Sequence, residues 1–224
     1  MSCWKERPDE VVFGLFGTVE AAWSRAGAGA GAEIAVDMPI GLPWAEVPGR
    51  PCDGEARRLL GKGLGSRVFP TPARASLLAS SHAEAVRLNR LATGKGISAQ
   101  AFHLLPKIRE IDSFIGRFPD AVVREVHPEL SFMRLNGGRA VRARKKSREG
   151  FSERWTILEA NVPEWMNALG RVIDQTRRSQ AKPDDWLDAA AIAAAWLRGD
   201  GQWDFACAPP LQNDEAGRPM QIAF

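Results

Sequence analysis

The sequence predicts an α/β protein, and three observations carry that reading. Ile34-Ala35-Val36 is a short apolar run with a Gly/Ala-rich stretch before it and prolines after it, the pattern of a buried strand. Ala121-Val-Val-Arg-Glu-Val-His127 has the β-branched content of a second strand, and Pro128 breaks it. Between and after these runs stand helical stretches with recognisable start and stop residues.

Taken in order, residues 1–10 are polar and read as loose, Val11–Phe16 as a strand and Thr18–Arg25 as a short helix. Ala26–Ala32 alternates Gly and Ala, a flexible connection into the Ile34 strand. From about residue 44 to 119 the chain reads as a mostly helical insertion. Asp53 is placed to cap Gly54–Leu60, with Gly61 as the stop. Ser81-His-Ala-Glu84 is a capping-box pattern opening a helix to about Leu91. Ser98 opens a longer helix to about Phe118, kinked by Pro106, with Ile108, Ile111 and Ile115 on one face. Beyond the second strand, Glu129–Leu135, Glu149–Ala160, Pro163–Arg178 and Asp184–Leu197 read as helices, the last rich in Ala and closed by Gly199. The economical organisation is one domain over residues 1–224.

Composition sets limits on function. An apolar content of 45% with 25% charged residues is ordinary for a soluble globular protein. No apolar run approaches the roughly 18 residues of a membrane span. Met-Ser-Cys-Trp-Lys-Glu-Arg lacks the basic-then-apolar order of a signal peptide, so a cytoplasmic location without membrane contact is expected. Cys3, Cys52 and Cys207 lie far apart and suggest neither a disulfide framework nor a zinc site. Gly61-Lys-Gly-Leu-Gly and Gly94-Lys-Gly have neither the spacing nor the preceding strand of a phosphate-binding P-loop. Ser147 has no evident base partner, which argues against serine catalysis.

A net charge of +3 and a pI near 9.0 permit nucleic acid as a partner. Arg139, Arg142, Arg144, Lys145, Lys146 and Arg148 crowd into one short run, either a solvated loop or a phosphate-binding one. Tyr is absent and Phe is scattered, so no aromatic stacking platform is visible.

Asp37 follows the first strand, where a carboxylate is either the start of a turn or part of a site. Glu125 lies in the second strand and either pairs with a neighbouring Arg or faces a ligand. Asp188 stands on an otherwise apolar helix, four and three residues after Asp184 and Asp185, an arrangement that repels itself unless a cation offsets it. His127 is by itself most simply a structural histidine.

Several motifs recur in the same order as in a known family: Ala35-Val-Asp-Met-Pro-Ile-Gly-Leu-Pro43, Arg50-Pro-Cys-Asp, Val68-Phe-Pro-Thr-Pro-Ala-Arg and Gly94-Lys-Gly-Ile-Ser-Ala-Gln-Ala-Phe. Leu105-Pro-Lys-Ile-Arg-Glu-Ile-Asp, Glu125-Val-His-Pro-Glu-Leu-Ser-Phe and Lys145-Lys-Ser-Arg-Glu-Gly follow. From about residue 33 to the end, the chain resembles the bacterial domain-of-unknown-function family 429, predicted to be RNase-H-like nucleases.

The resemblance implies an RNase-H-like mixed sheet flanked by helices, with the helical insertion described above. It also implies a divalent-metal-dependent phosphodiester hydrolase acting on nucleic acid. In such a site converging carboxylates hold two ions about 4 Å apart. On this chain that role falls to Asp37, Glu125 and Asp188, with Mg²⁺ or Mn²⁺ as the metal. The recurring His-Pro-Glu gives His127 a part in orienting a carboxylate or shuttling a proton. Lys107, Lys145 and Lys146 are the candidates for substrate phosphates. The chain departs from the family pattern in one respect. Members usually begin with a Gly-x-Asp-Gly strand and a Trp-containing hairpin partner, and no Gly-x-Asp-Gly precedes Glu33 here. Asp9 and Glu20 lack that context. The expectation is therefore weak metal binding and slow or no cleavage; the alternative is a non-catalytic binding or scaffold protein of the same fold with an incomplete metal site. The sequence leaves the oligomeric state open.

Overall fold

The computed structural model describes residues 2–7, 10–27 and 32–224. In chain order the elements are β1 (Ser2–Arg7), β2 (Glu10–Gly14), α1 (Val19–Arg25), β3 (Glu33–Val36), α2 (Pro51–Leu60), α3 (His82–Thr93), α4 (Ala99–Arg117), β4 (Val122–Glu125), α5 (Pro128–Leu135), α6 (Arg148–Asn161), α7 (Met166–Gln175) and α8 (Pro183–Arg198). Short 3₁₀ turns occupy Gly65–Arg67, Arg74–Leu78 and Pro163–Trp165. The fold is α/β. β1 and β2 form an antiparallel pair, and β3 and β4 a parallel one. The chain divides into two compact units. One comprises Met1–Ala30, Val126–Asp204 and Phe224, the other Gly31–Glu125 and Phe205–Ala223.

The first unit is built on α8. Its Ala190, Ala191, Ala194 and Ala195 are fully buried, and such short side chains let neighbouring helices approach closely. α5, α6 and α7 pack against it, as does β1. Phe132, Leu158, Leu169, Trp186 and Leu187 fill the space between, each worth roughly 1.5–3 kcal/mol of burial. Phe13 of β2 meets the edge of Trp186 at 6.2 Å between ring centroids. β1 corrects the expectation of a loose stretch over residues 1–10. Pairing with β2, with Cys3 opposite Phe13 and Lys5 opposite Val11, satisfies backbone groups that polarity alone leaves to water. Asp9 and the middle of the Gly/Ala connection lie outside the described residues.

In the second unit α2, α3 and α4 fall within residues 44–119, with differences at their starts from those the sequence predicts. α2 begins at Pro51, whose fixed φ suits the first helical position, so Asp53 lies inside the first turn rather than capping it. Ser81 caps α3 by accepting from Glu84 N–H, but Glu84 turns its carboxylate to the N–H and hydroxyl of Ser80, both at 2.9 Å. α4 runs through Pro106 without ending and buries Leu105, Ile108, Ile111 and Phe114. Elsewhere, in place of the helix expected over Pro163–Arg178, Pro163–Trp165 form a 3₁₀ turn and α7 ends at Gln175.

The stretch after β3 forms a buried loop. Ile40, Gly41 and Leu42 are covered, and Leu42 N–H donates to Asp214 at 3.1 Å. Gly41 has φ +72, and a methyl there would run into the backbone of Pro219 and Met220. Asp214 also accepts from Ala216 N–H and Arg218 N–H, each at 2.9 Å, and from the guanidinium of Arg74. Arg74 and Arg218 both reach Asp112 on α4. Residues 205–223 are thereby tied into this unit, and Ala223 N–H donates to the carbonyl of Glu125 at 2.9 Å along the edge of β4.

Gly41 gives a direct test of this packing. Gly41→Ala meets both a left-handed backbone and a filled space, and is expected to cost roughly 2–4 kcal/mol. Gly94 has φ +74 but open space around it, so Gly94→Ala is expected to cost only about 1 kcal/mol. Urea unfolding of the two variants checks the contrast; equal losses would show that the loop does not press on Pro219.

Candidate functional site

β3 and β4 run parallel with Val36 opposite Glu125, so Asp37 and Glu125 stand at the same, C-terminal end of the pair. That is where ligands gather on parallel sheets. Asp37 is exposed. The Glu125 side chain is 10% exposed, and its Oε2 accepts from Arg50 at 2.6 Å and from Ile40 N–H at 2.7 Å. The Arg50 side chain has no exposure at all. The Arg50 nitrogen that donates to Glu125, Nη2, also lies 3.1 Å from the Cys52 sulfur, while Nε faces Asp53 at 3.3 Å and Nη1 donates to Thr71 at 3.2 Å. Burial pushes the Glu125 carboxyl up to about 7, although Arg50 and Ile40 N–H pull the other way. Burial likewise pushes the Cys52 thiol up to about 12, which keeps it protonated and inert.

Asp188 lies in the first unit, on α8. Its Oδ2 is paired with Lys145, which also stands 3.7 Å from Asp184 Oδ2. This is the cation that the acidic spacing on α8 calls for. Asp185 does something different, accepting from Lys182 N–H at 2.9 Å to close the start of the helix. Asp188 Oδ1 is buried and has no hydrogen-bond partner. Burial raises the Asp188 carboxyl to about 6 against the pull of Lys145, with Glu129 adding repulsion and Arg154 opposing it. Glu129 itself pairs with Arg154 at 2.5 Å, and the Arg154 side chain is fully enclosed, over the ring of Phe132.

Lys145 begins the edge of a cleft of about 360 Å³ lined by Lys145, Lys146, Ser147, Arg148, Phe151, Arg178, Lys182, Pro183 and Asp184. The strand of chain that carries the lysines is held down at Gly150. A side chain at that position would collide with the Arg144 carbonyl, and Ser147 caps α6 by accepting from Gly150 N–H at 3.0 Å.

The residues singled out by sequence are thus distributed as follows. Asp37 and Glu125 share one end of a strand pair in the second unit; Asp188, Lys145, Lys146 and His127 belong to the first. His127 occupies the cap position of α5, its carbonyl accepting from Leu130 and Ser131 N–H at 3.0 Å. Lys107 sits on α4 in the second unit and pairs with Glu110 at 2.9 Å. Sequence reasoning did not single out Arg50, Arg154, Arg178 or Lys182. Arg50 opens one of the recurring motifs, which was the available signal; the other three look like ordinary surface cations.

The implied Mg²⁺ or Mn²⁺ calls for converging carboxylate oxygens. Among the described residues no group of three or more His, Cys, Asp or Glu side chains is placed to hold a metal ion. The Glu125 Oε2 and Asp188 Oδ2 positions where a cation would bind are taken by Arg50 and Lys145. In this arrangement the residues do not fit a metal centre, although Asp188 Oδ1 remains unclaimed.

The profile of the family described as "Protein of unknown function (DUF429)" matches residues 3–210. No curated protein and no solved structure matches the sequence. Among the described residues no helix is long and apolar enough to cross a membrane.

The raised Asp188 carboxyl predicts a pH effect of definite sign. Its proton is released near pH 6 in the folded chain and near 3.8 when unfolded. Its contribution to stability is therefore complete below about pH 4 and is lost as pH rises through 6. Asp188→Asn does not titrate, so its stability relative to the native chain should climb across that window by about 3 kcal/mol. Urea midpoints measured from pH 4 to 7 check this; a constant difference would show that Asp188 titrates normally.

Proposed function

The chain belongs to the DUF429 family, and on that premise we propose that it binds nucleic acid through the basic cleft at the start of α6 and α8. The observation that carries this reading is the company of the cleft's cations. Lys146 and Arg148 come from one stretch of chain and Arg178 and Lys182 from another; all four are exposed, and none of their side chains is in an ion pair among the described residues. Like charges repel when gathered, and an anionic ligand offsets that cost. Lys145 has a different job, neutralising Asp184 and Asp188 beside the cleft. The phosphate contacts pass to its neighbours.

An RNase-H-like descent is part of the proposal. It is supported by the parallel pair β3–β4, with Asp37 following one strand and Glu125 ending the other, and by the motifs shared with the family. The chain would then keep a nucleic-acid-binding surface while Glu125 and Asp188 serve its internal ion pairs, which is the non-catalytic form of the fold. Metal-dependent phosphodiester hydrolysis is the second reading, favoured by the unclaimed Oδ1 of buried Asp188. A cleavage assay with Mg²⁺ or Mn²⁺ on the chain and on Asp37→Ala and Asp188→Ala separates the two. Robust cleavage abolished by either substitution would establish the hydrolase.

Binding itself is tested by salt dependence. The logarithm of the binding constant for duplex DNA should fall linearly with the logarithm of salt, by about 0.9 for each phosphate neutralised. Lys146→Ala combined with Arg148→Ala should flatten that slope by about one to two. An unchanged slope, or no binding at low salt, would return the segment to a solvated loop.

A further inference from the structure

The cleft has features that an evenly basic surface for a nucleic-acid backbone does not need. It is compact: about 360 Å³ is at the small end of the roughly 300–1,000 Å³ of small-molecule pockets, enough for one nucleotide. Its four cations, with no ion pair among the described residues, are not one run of sequence. Lys146 and Arg148 flank the start of α6, Arg178 follows α7, and Lys182 precedes α8, so the fold has gathered them around a single space. α6 and α8, of 14 and 16 residues, both begin at this space, and their N-terminal ends add partial positive charge of the same sign. The one carboxylate in the lining, Asp184, faces Lys145. Phe151 completes the wall. It is half-buried and stacked on Trp155 at 6.0 Å, giving a fixed apolar surface beside the charges.

A phosphate at a strand end carries about −1.5 to −2 charge and three free oxygens, whereas an internal phosphodiester carries a single charge and two. Four cations around one nucleotide-sized space match the terminal group better. We propose that the cleft takes the terminal phosphomonoester of a nucleic-acid strand. Lys146, Arg148, Arg178 and Lys182 surround the phosphate and Phe151 lies against the first nucleoside. This rests on the reading of the cleft as a nucleic-acid site and narrows it from backbone to strand end.

The test is fluorescence polarisation with 12-nucleotide single strands, carrying either a phosphate or a hydroxyl at the unlabelled end. Both 5′ and 3′ versions are used. Strands ending in phosphate at one terminus should bind at least tenfold more tightly than their hydroxyl counterparts. Arg178→Gln with Lys182→Gln should remove that preference while leaving the unfolding temperature unchanged, since both side chains are exposed. Equal affinity for phosphate and hydroxyl ends, weakened alike by the double variant, would overturn the strand-end proposal and leave the nucleic-acid reading standing. A preference that survives the double variant would place the end site elsewhere and overturn the proposal as well. No binding of any strand at low salt would remove both.

Discussion

A guanidinium taken wholly out of water must be met by negative charge, and in the second unit that constraint fixes most of what surrounds it. Arg50 is enclosed completely, and an uncompensated charge there would cost several kcal/mol. Glu125 supplies the balance from the end of β4, and Asp53 from the first turn of α2. Because Glu125 also takes Ile40 N–H, the same carboxylate holds down the loop after β3. Arg50 and its two carboxylates therefore join the end of β4, the start of α2 and the loop after β3. The first unit solves a similar problem with Arg154 and Glu129, which link α6 to α5 beneath Asp188.

These pairs bear on how the conspicuous carboxylates are to be understood. A strand-end acid in a recurring motif invites a catalytic role, and Glu125 stands where such a residue is expected. Its Oε2 nevertheless accepts from a buried arginine and a backbone amide. Asp188 differs, since one of its oxygens is left over. Chemistry at the two positions is thus constrained unequally: Glu125 is held from two sides, whereas Lys145, itself about one-third exposed, is the softer partner.

What the sequence made legible was local. The apolar run Ile34–Val36 became β3, and Ser81 and Ser98 each cap the helix that follows, because a hydroxyl before a helix acts on amides three residues away. What it hid was long-range. Arg50 and Arg154 have nothing in their neighbouring residues to mark them as buried, since arginine is ordinarily a surface residue and only the distant Glu125 and Glu129 make burial tolerable. Arg178 and Lys182 join Lys146 and Arg148 only after α6 and α7 have turned the chain back. β1 was missed for the same reason: a polar strand declares itself through its partner, not its composition.

The second unit is also discontinuous, and that shapes its assembly. Residues 31–125 are synthesised long before 205–223, and the first unit's helices lie between them in sequence. Until Asp214 emerges from the ribosome, Leu42 N–H and the Arg74 guanidinium lack the acceptor they meet in the finished structure. The helices of the insertion contact one another locally and can form early, but closure of the unit waits on a link of 140 residues or more. During that interval the loop after β3 is bare, apolar and without its covering segment.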